Sequence, residues 1–241
     1  MDHPCERCCS RCLQKLCTRG IPIFASLAHA DLEKIASLTV HREYGKGDVI
    51  LEEGNRQDGV AILNEGSVKA SKYTADGREQ ILYVFSEGDF FGEQNLLFDR
   101  PAFYSVTALE PVKLCLIRKQ DFQTLLHANP QIAVTIIGEL GWRLSHLENA
   151  VQNMGVRSLE ARIHTVLLEL ADKYGSRHKG GVLLRLPLSR EGLANYIGVA
   201  RETLSRKLGQ MEEDGVIQTV NNKTIWIKDL SLLNVADAPQ K

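Results

Sequence analysis

What this chain lacks excludes several classes of protein. No apolar run approaches the roughly 18 residues of a membrane span, and the first residues hold no apolar stretch of the signal-peptide kind, so a cytoplasmic protein is expected. Charge of one sign is missing overall. Lys and Arg number 29 against 30 Asp and Glu, for a formal net charge of −1, which leaves no global basic signal for nucleic acid. The middle of the chain has no nucleophile–base pair, no carboxylate pair, and no His/Glu cluster of the kind a cupin-like barrel enzyme needs, so an enzyme is not expected. Cysteine is absent after residue 17 except for Cys115.

What is present is an ordinary globular composition, 44% hydrophobic and 24% charged over 241 residues. That length suits about two domains. The richest segment is Ser189 to Asp214, SREGLANYIGVARETLSRKLGQMEED. It reads as two short amphipathic helices around a turn at Gly198. Leu193, Ala194 and Ile197 form the inner face of the first, and Leu204, Leu208 and Met211 that of the second. Ser189 is placed to cap the first helix, with Glu191 in its first turn. On the second helix Arg201, Glu202, Ser205 and Arg206 share one polar face. Such a face fits the DNA major groove, where arginine grips guanine in a bidentate way and glutamate accepts from cytosine N4.

The sequence after this helix pair fits the same reading. Gly215 closes the second helix, Val216 to Val220 alternates like a strand, Asn221-Asn222-Lys223 reads as a tight turn, and Thr224 to Ile227 as the returning strand. Helix-turn-helix plus hairpin is a winged helix, with Lys223 at the tip to meet a phosphate. From Arg157 to Lys228 there are 12 Lys/Arg and 8 Asp/Glu, a local basic excess that the whole chain hides.

Upstream, Ile21 to Leu126 reads as short strands between recurring glycines, including Val49-Ile50-Leu51, Val60 to Leu63, Val68 to Ser71 and Ile81 to Phe85. That pattern predicts an all-β barrel or jelly roll, with a hairpin at Asp76-Gly77. Pro130 to Arg157 is one long helical pattern. Ile137, Leu140, Leu144, Leu147, Val151 and Met154 recur at alternating spacings of 3 and 4, a heptad seam expected to pair two copies. A dimer places two recognition helices side by side, so its operator is expected to be palindromic.

Five of the six cysteines lie in the first 17 residues: Cys5, Cys8, Cys9, Cys12 and Cys17. In a cytosolic chain such clustering points to metal rather than disulfides. Thiolates suit an iron–sulfur cluster and zinc equally, and adjacent Cys8 and Cys9 also suit a thiol switch. Cys9, Cys12 and Cys17 supply three ligands, and Cys115 a fourth if the fold brings it close. The run Val112 to Ile117 is strand-like, where a buried cysteine is also an ordinary small hydrophobe.

Taken in order, these segments resemble the CRP/FNR family of bacterial transcription regulators over nearly the whole chain. Arg201-Glu202-Thr203-Leu204-Ser205-Arg206 resembles that family's recognition helix, with the E-x-x-S-R of the FNR branch, and Gly88-Asp89-Phe90-Phe91-Gly92-Glu93 matches its β-roll turns. The resemblance implies an α+β fold: a cysteine-rich metal-binding segment (1–20), a β-roll sensor of the cyclic-nucleotide-binding type (21–128), a dimerisation helix (129–156), a winged helix-turn-helix (157–230) and a tail (231–241). It implies a homodimer on double-stranded DNA, with RNA polymerase as a further partner and no membrane. The cAMP-binding branch carries an Arg-Ser or Arg-Ala pair for the cyclic phosphate. This chain has Ala102-Phe103 after Arg100-Pro101, which argues against a cyclic nucleotide.

The FNR layout implies a [4Fe–4S] cluster on Cys9, Cys12, Cys17 and Cys115, with oxygen, nitric oxide or redox state as the signal. The chain departs from it in four respects. The last N-terminal gap is four residues rather than five, and Cys5 and Cys8 are surplus thiols that serve as alternates. Leu147 stands where an acidic residue makes the family dimer marginal, so oxygen is expected to reorient the DNA heads of a standing dimer. Arg201 replaces an apolar residue, so the expected half-site resembles TTGAT or TGTGA, with guanine preferred at one outer position. The alternative sensors are zinc, thiol redox, a small molecule in the β-roll, or haem on His3, His29, His41 or His127.

Overall fold

A computed structural model describes residues 21–233 except 26, 58, 95–99, 157 and 179, with the side chains at 30, 146 and 149–156 also outside the description. The chain divides into two compact units, and the long helix passes from one to the other at Leu144. In the first unit a 3-10 turn, Pro22–Phe24, precedes α1 (His29–Leu38). Eight strands follow: β1 (Thr39–Tyr44), β2 (Val49–Leu51), β3 (Gly59–Glu65), β4 (Val68–Tyr73), β5 (Glu79–Phe85), β6 (Phe90–Phe91), β7 (Ser105–Ala108) and β8 (Val112–Arg118). Then come α2 (Lys119–Ala128) and α3 (Pro130–Val156).

The strands form two four-stranded sheets, ordered β1-β8-β3-β6 and β2-β7-β4-β5. Each strand run expected from the sequence falls inside one of these strands. The expected hairpin joins β4 and β5, with Gly77 at φ +80° and its N–H bonded to the Thr74 carbonyl. At the β3–β4 turn Gly66 has φ +90°, and a Cβ there would strike the Pro111 carbonyl oxygen. Only glycine fits that position without strain.

Strand pleating sorts the core into two layers. Along β3, Ala61 and Leu63 face the interior between the sheets, beside Val106, Val112 and Leu114. Val60 and Ile62 face the other way, against Ile21, Ile23, Phe24, Phe122 and Ile132. Successive side chains point to opposite faces of a sheet, so a strand covered on both sides reads as a continuous apolar run. That accounts for GVAIL in β3.

The helix α3 begins with Pro130, whose fixed φ and missing N–H suit the first helical position. It buries Ile132 and Ile136 on the roll, and Leu140 packs partly against the same layer. Val134, Ile137, Trp142 and Leu144 stay exposed. No helix among the described residues is long and apolar enough to cross a membrane.

From this helix Arg143 reaches into the roll. It is 5% exposed and Glu93 3%. Nη1 donates to Glu93 Oε1 at 3.1 Å, Nη2 to the Phe90 carbonyl at 2.8 Å, and Nε to Glu139 Oε1 at 3.2 Å. The guanidinium also lies over the rings of Phe85 and Phe90, 4.9 and 4.7 Å from their centroids. Burial pushes the Glu93 carboxyl up, against the pull of Arg143. The second carboxylate oxygen of Glu93 has no hydrogen-bond partner.

Removing one member of a buried ion pair strands the other charge. Arg143→Leu is expected to cost about 3–5 kcal/mol of stability. The double variant Arg143→Leu/Glu93→Gln is expected to recover part of that loss. Urea unfolding of the three proteins checks both outcomes; equal losses in the single and double variants would contradict the pairing.

Candidate nucleic-acid interface and thiol site

The second unit is built around one small apolar core. Its elements are α4 (Leu159–Tyr174), β9 (Gly175–His178), β10 (Gly181–Arg185), α5 (Arg190–Ile197), α6 (Arg201–Glu213), β11 (Ile217–Asn221) and β12 (Thr224–Ile227), ending in a 3-10 turn, Leu230–Leu233. The sheet order is β11-β12-β10-β9. Leu193, Ala194, Ile197, Leu204, Leu208 and Met211 all lie in the core, with Ile163, Leu167, Ile225 and Leu233.

Local chemistry sets the two helices of the motif. Ser189 Oγ accepts from the Gly192 N–H at 3.1 Å, satisfying a free donor at the start of α5. Gly198 ends that helix at φ +79°, the left-handed region that favours glycine. Ala200 precedes α6 and gives no side-chain cap. The wing is tied to α6 by the Thr219 N–H, which donates to Glu212 Oε1 at 2.9 Å. Trp226 Nε1 donates to the His178 carbonyl at 3.1 Å and braces the other side of the sheet.

Leu204, Leu208 and Met211 anchor α6 inward, so its other face is free. Arg201, Glu202, Ser205 and Arg206 are all exposed there. Lys223 is exposed in the β11–β12 turn, where its N–H donates to Asn221 Oδ1. Of the six seam residues, Ile137 and Leu144 are open, Leu147 is half-buried, and Leu140 leans onto its own roll. The side chains of Val151 and Met154 lie outside the described residues. Val134, not counted in the seam, joins the open face at 57% exposure.

Cys5, Cys8, Cys9, Cys12, Cys17 and His3 also lie outside the described residues. Cys115 is described and buried. It lies on β8 between two partner strands, opposite His41 on β1 and Ile62 on β3. His41 Nδ1 is 3.3 Å from its sulfur, and Asn64 Nδ2 donates to that sulfur at 2.8 Å. The register of β3 against β8 shifts between Leu63 and Glu65, at Asn64. Burial holds His41 below the usual histidine range, which favours the neutral ring. Of the other histidines, His29 is exposed beside Glu33 and His127 is exposed. Among the described residues no three His, Cys, Asp or Glu are grouped to hold a metal.

Sequence reading did not find Asn64, and it considered His41 only as a haem ligand. Both meet Cys115 through strand register, which no local pattern in the sequence reveals. The alternation of Ile62 and Asn64 on one face was the available signal.

His164 on α4 is 5% exposed, and neither ring nitrogen has a hydrogen-bond partner. Burial lowers its pKa, with Glu160 opposing. A folded state that holds the ring neutral binds fewer protons than the unfolded chain, so stability is lost as pH falls through about 6.5. His164→Leu is expected to flatten that acid slope and to raise stability at neutral pH, since a buried unpaired polar group costs about 1–3 kcal/mol. Thermal unfolding between pH 7.5 and 5.5 checks this; an unchanged slope would contradict it.

Two family models match the chain: a cyclic nucleotide-binding domain at residues 41–129 and a Crp-like helix-turn-helix domain at 161–235. The chain is 29% identical to a probable transcriptional regulator, flp, of Lacticaseibacillus casei, over 92% of this chain and 95% of that one. It is 26% identical to a CRP-like cAMP-activated global transcriptional regulator of Mycobacterium tuberculosis, over 81% and 88%. It is 24% identical to the transcriptional activator protein FnrL of Cereibacter sphaeroides, over 87% and 86%. A solved structure of a CooA mutant from Carboxydothermus hydrogenoformans has the same fold, with a TM-score of 0.74 at 21% identity over 88% of this chain and 92% of that one. These relatives are regulators of transcription, not enzymes. A β-roll followed by a winged helix-turn-helix, matched in that order, makes this chain a member of the CRP/FNR family of DNA-binding transcription regulators.

Proposed function

We propose that this regulator senses oxygen, nitric oxide or redox state through a [4Fe–4S] cluster held by Cys9, Cys12, Cys17 and Cys115. It acts as a cytoplasmic homodimer on a palindromic operator, with RNA polymerase as the downstream partner. The observation that carries the reading is the setting of Cys115. Its sulfur receives an N–H from Asn64, and such a donor suits a thiolate ligand. Ile62, directly opposite Cys115, packs in the same layer as Ile21 and Ile23. The chain therefore starts its described course on the sheet face that Cys115 shares. Ile21 is four residue steps after Cys17, a reach of up to about 14 Å.

The groups around Cys115 fit the cluster: one buried thiol, an amide N–H directed at its sulfur, and an imidazole beside it. When bound, the cluster supplies a redox centre whose state depends on the oxidant. The protein's own part is to hold Cys115 on a rigid strand and to link that sheet, through the shared apolar layer, to α3. On α3 the open residues Val134, Ile137 and Leu144 form the face proposed to meet the second copy. Cyclic nucleotide is not the proposed effector. Phe103 is exposed with the Lys72 ammonium 3.7 Å over its ring, and Arg143 is already committed to Glu93. His41 favours one second reading, zinc, because imidazole and thiolate together suit that metal.

Protein purified without oxygen decides between them. A broad absorbance near 400 nm with about four iron and four sulfide per chain, bleaching in air, is expected. Cys115→Ser is expected to abolish it, and Cys5→Ser and Cys8→Ser to leave it. Colourless protein holding zinc would replace the cluster reading with the zinc one.

On the DNA side, Arg201, Glu202, Ser205 and Arg206 are proposed to read bases and Lys223 to contact phosphate. Arg206→Ala is expected to weaken operator binding by about 1–3 kcal/mol and to relax selectivity at one base pair, while Lys223→Ala weakens all sequences alike and lowers the salt slope by about 1. Binding titrations on randomised half-sites test this, and unchanged selectivity in Arg206→Ala would rule out the assumed register.

A further inference from the structure

We infer that Asn64 sets the reduction potential of the cluster through its hydrogen bond to the Cys115 sulfur. The inference rests on the cluster reading above. It concerns a residue of β3 that holds no metal itself, so Asn64 is a positioning and tuning residue.

Asn64 Nδ2 lies 2.8 Å from Cys115 Sγ. Asn64 Oδ1 is buried and has no hydrogen-bond partner. An unpaired buried carbonyl oxygen destabilises a fold, and a leucine of similar size would avoid that cost. The orientation of the carboxamide is therefore explained by its N–H end. Against a ligating thiolate, a turned amide would set two acceptors face to face. Asn64 sits at the register shift of β3 against β8, two residues after Ile62, the partner of Cys115, while Leu63 keeps its place in the roll interior.

A hydrogen bond to a ligating sulfur draws electron density from it. That favours the state with more electrons on the metal, so it raises the reduction potential. The effect is strongest where water is excluded, and Cys115 is 3% exposed. A second polar group at the sulfur, His41, sits opposite on β1. It is kept unchanged in the test, so that any shift belongs to Asn64 alone.

The test compares the anaerobic full-length protein with Asn64→Leu and Asn64→Ser. Iron and sulfide content, the midpoint potential from dye-mediated titration, and the bleaching rate in air are read for each. Asn64→Leu is expected to keep its iron and sulfide, to lower the midpoint potential, and to bleach several-fold faster. Asn64→Ser, which keeps a shorter donor, is expected to fall between. If Asn64→Leu takes up no iron, the shift is read from Asn64→Ser. Equal potentials in variants with full iron and sulfide overturn the tuning role and leave the cluster reading intact. Wild-type protein without iron and sulfide overturns the cluster reading, and the tuning role with it.

Discussion

The sheet β1-β8-β3-β6 has to be dry on both faces, and most of the first unit follows from that. Its central strands β3 and β8 carry apolar side chains to both sides. One side is met by the second sheet, which closes the roll. The other needs a separate cover, supplied by the 3-10 turn, α1, α2 and the start of α3. The hydrophobic effect, at roughly 25 cal/mol per Å² of apolar surface, thus fixes α3 to the roll through Ile132 and Ile136. It also fixes where the polar exceptions go. Cys115 lies on the covered face beside Ile62, not in the roll interior.

The roll interior has its own exception. Arg143 and Glu93 face each other there with two aromatic rings alongside. Buried ion pairs seldom add much net stability, because desolvation offsets the attraction. What this pair adds is definition. The guanidinium bonds simultaneously to β6 backbone, to Glu93 and to Glu139 on its own helix. Sliding α3 by a turn would break all the cross-element bonds together, whereas apolar contacts alone would tolerate smaller shifts. The helix is thereby placed in register with the roll.

How much of this was legible in the sequence depends on the range of the interaction. The helix-turn-helix was legible, because its inner faces, the Ser189 cap and the Gly198 turn are all local. The strand runs of β2, β3, β4, β5 and β8 and the Asp76-Gly77 hairpin were legible for the same reason, whereas β1, β6 and β7 were not read. The long-range pairings were not. Nothing in the sequence near Glu93 announces Arg143, and it is strand register that brings His41 and Asn64 to Cys115. Leu140 shows a third limit. A 3-and-4 spacing defines a stripe, but two apolar surfaces compete for it, and the roll takes part of that stripe. Val134 then belongs to the open face although the heptad pattern omitted it.

The chain has two tryptophans, one in each unit. Trp142 stands 61% exposed on α3, on a flank turned away from Ile137 and Leu144. Trp226 is half-buried in the wing, held by the His178 carbonyl. An indole in water emits at longer wavelength and is open to collisional quenchers, and a covered one is not. The intrinsic fluorescence of this protein therefore has two separable components. One reports on the exposed flank of α3, and the other on whether the wing is folded, with no added label.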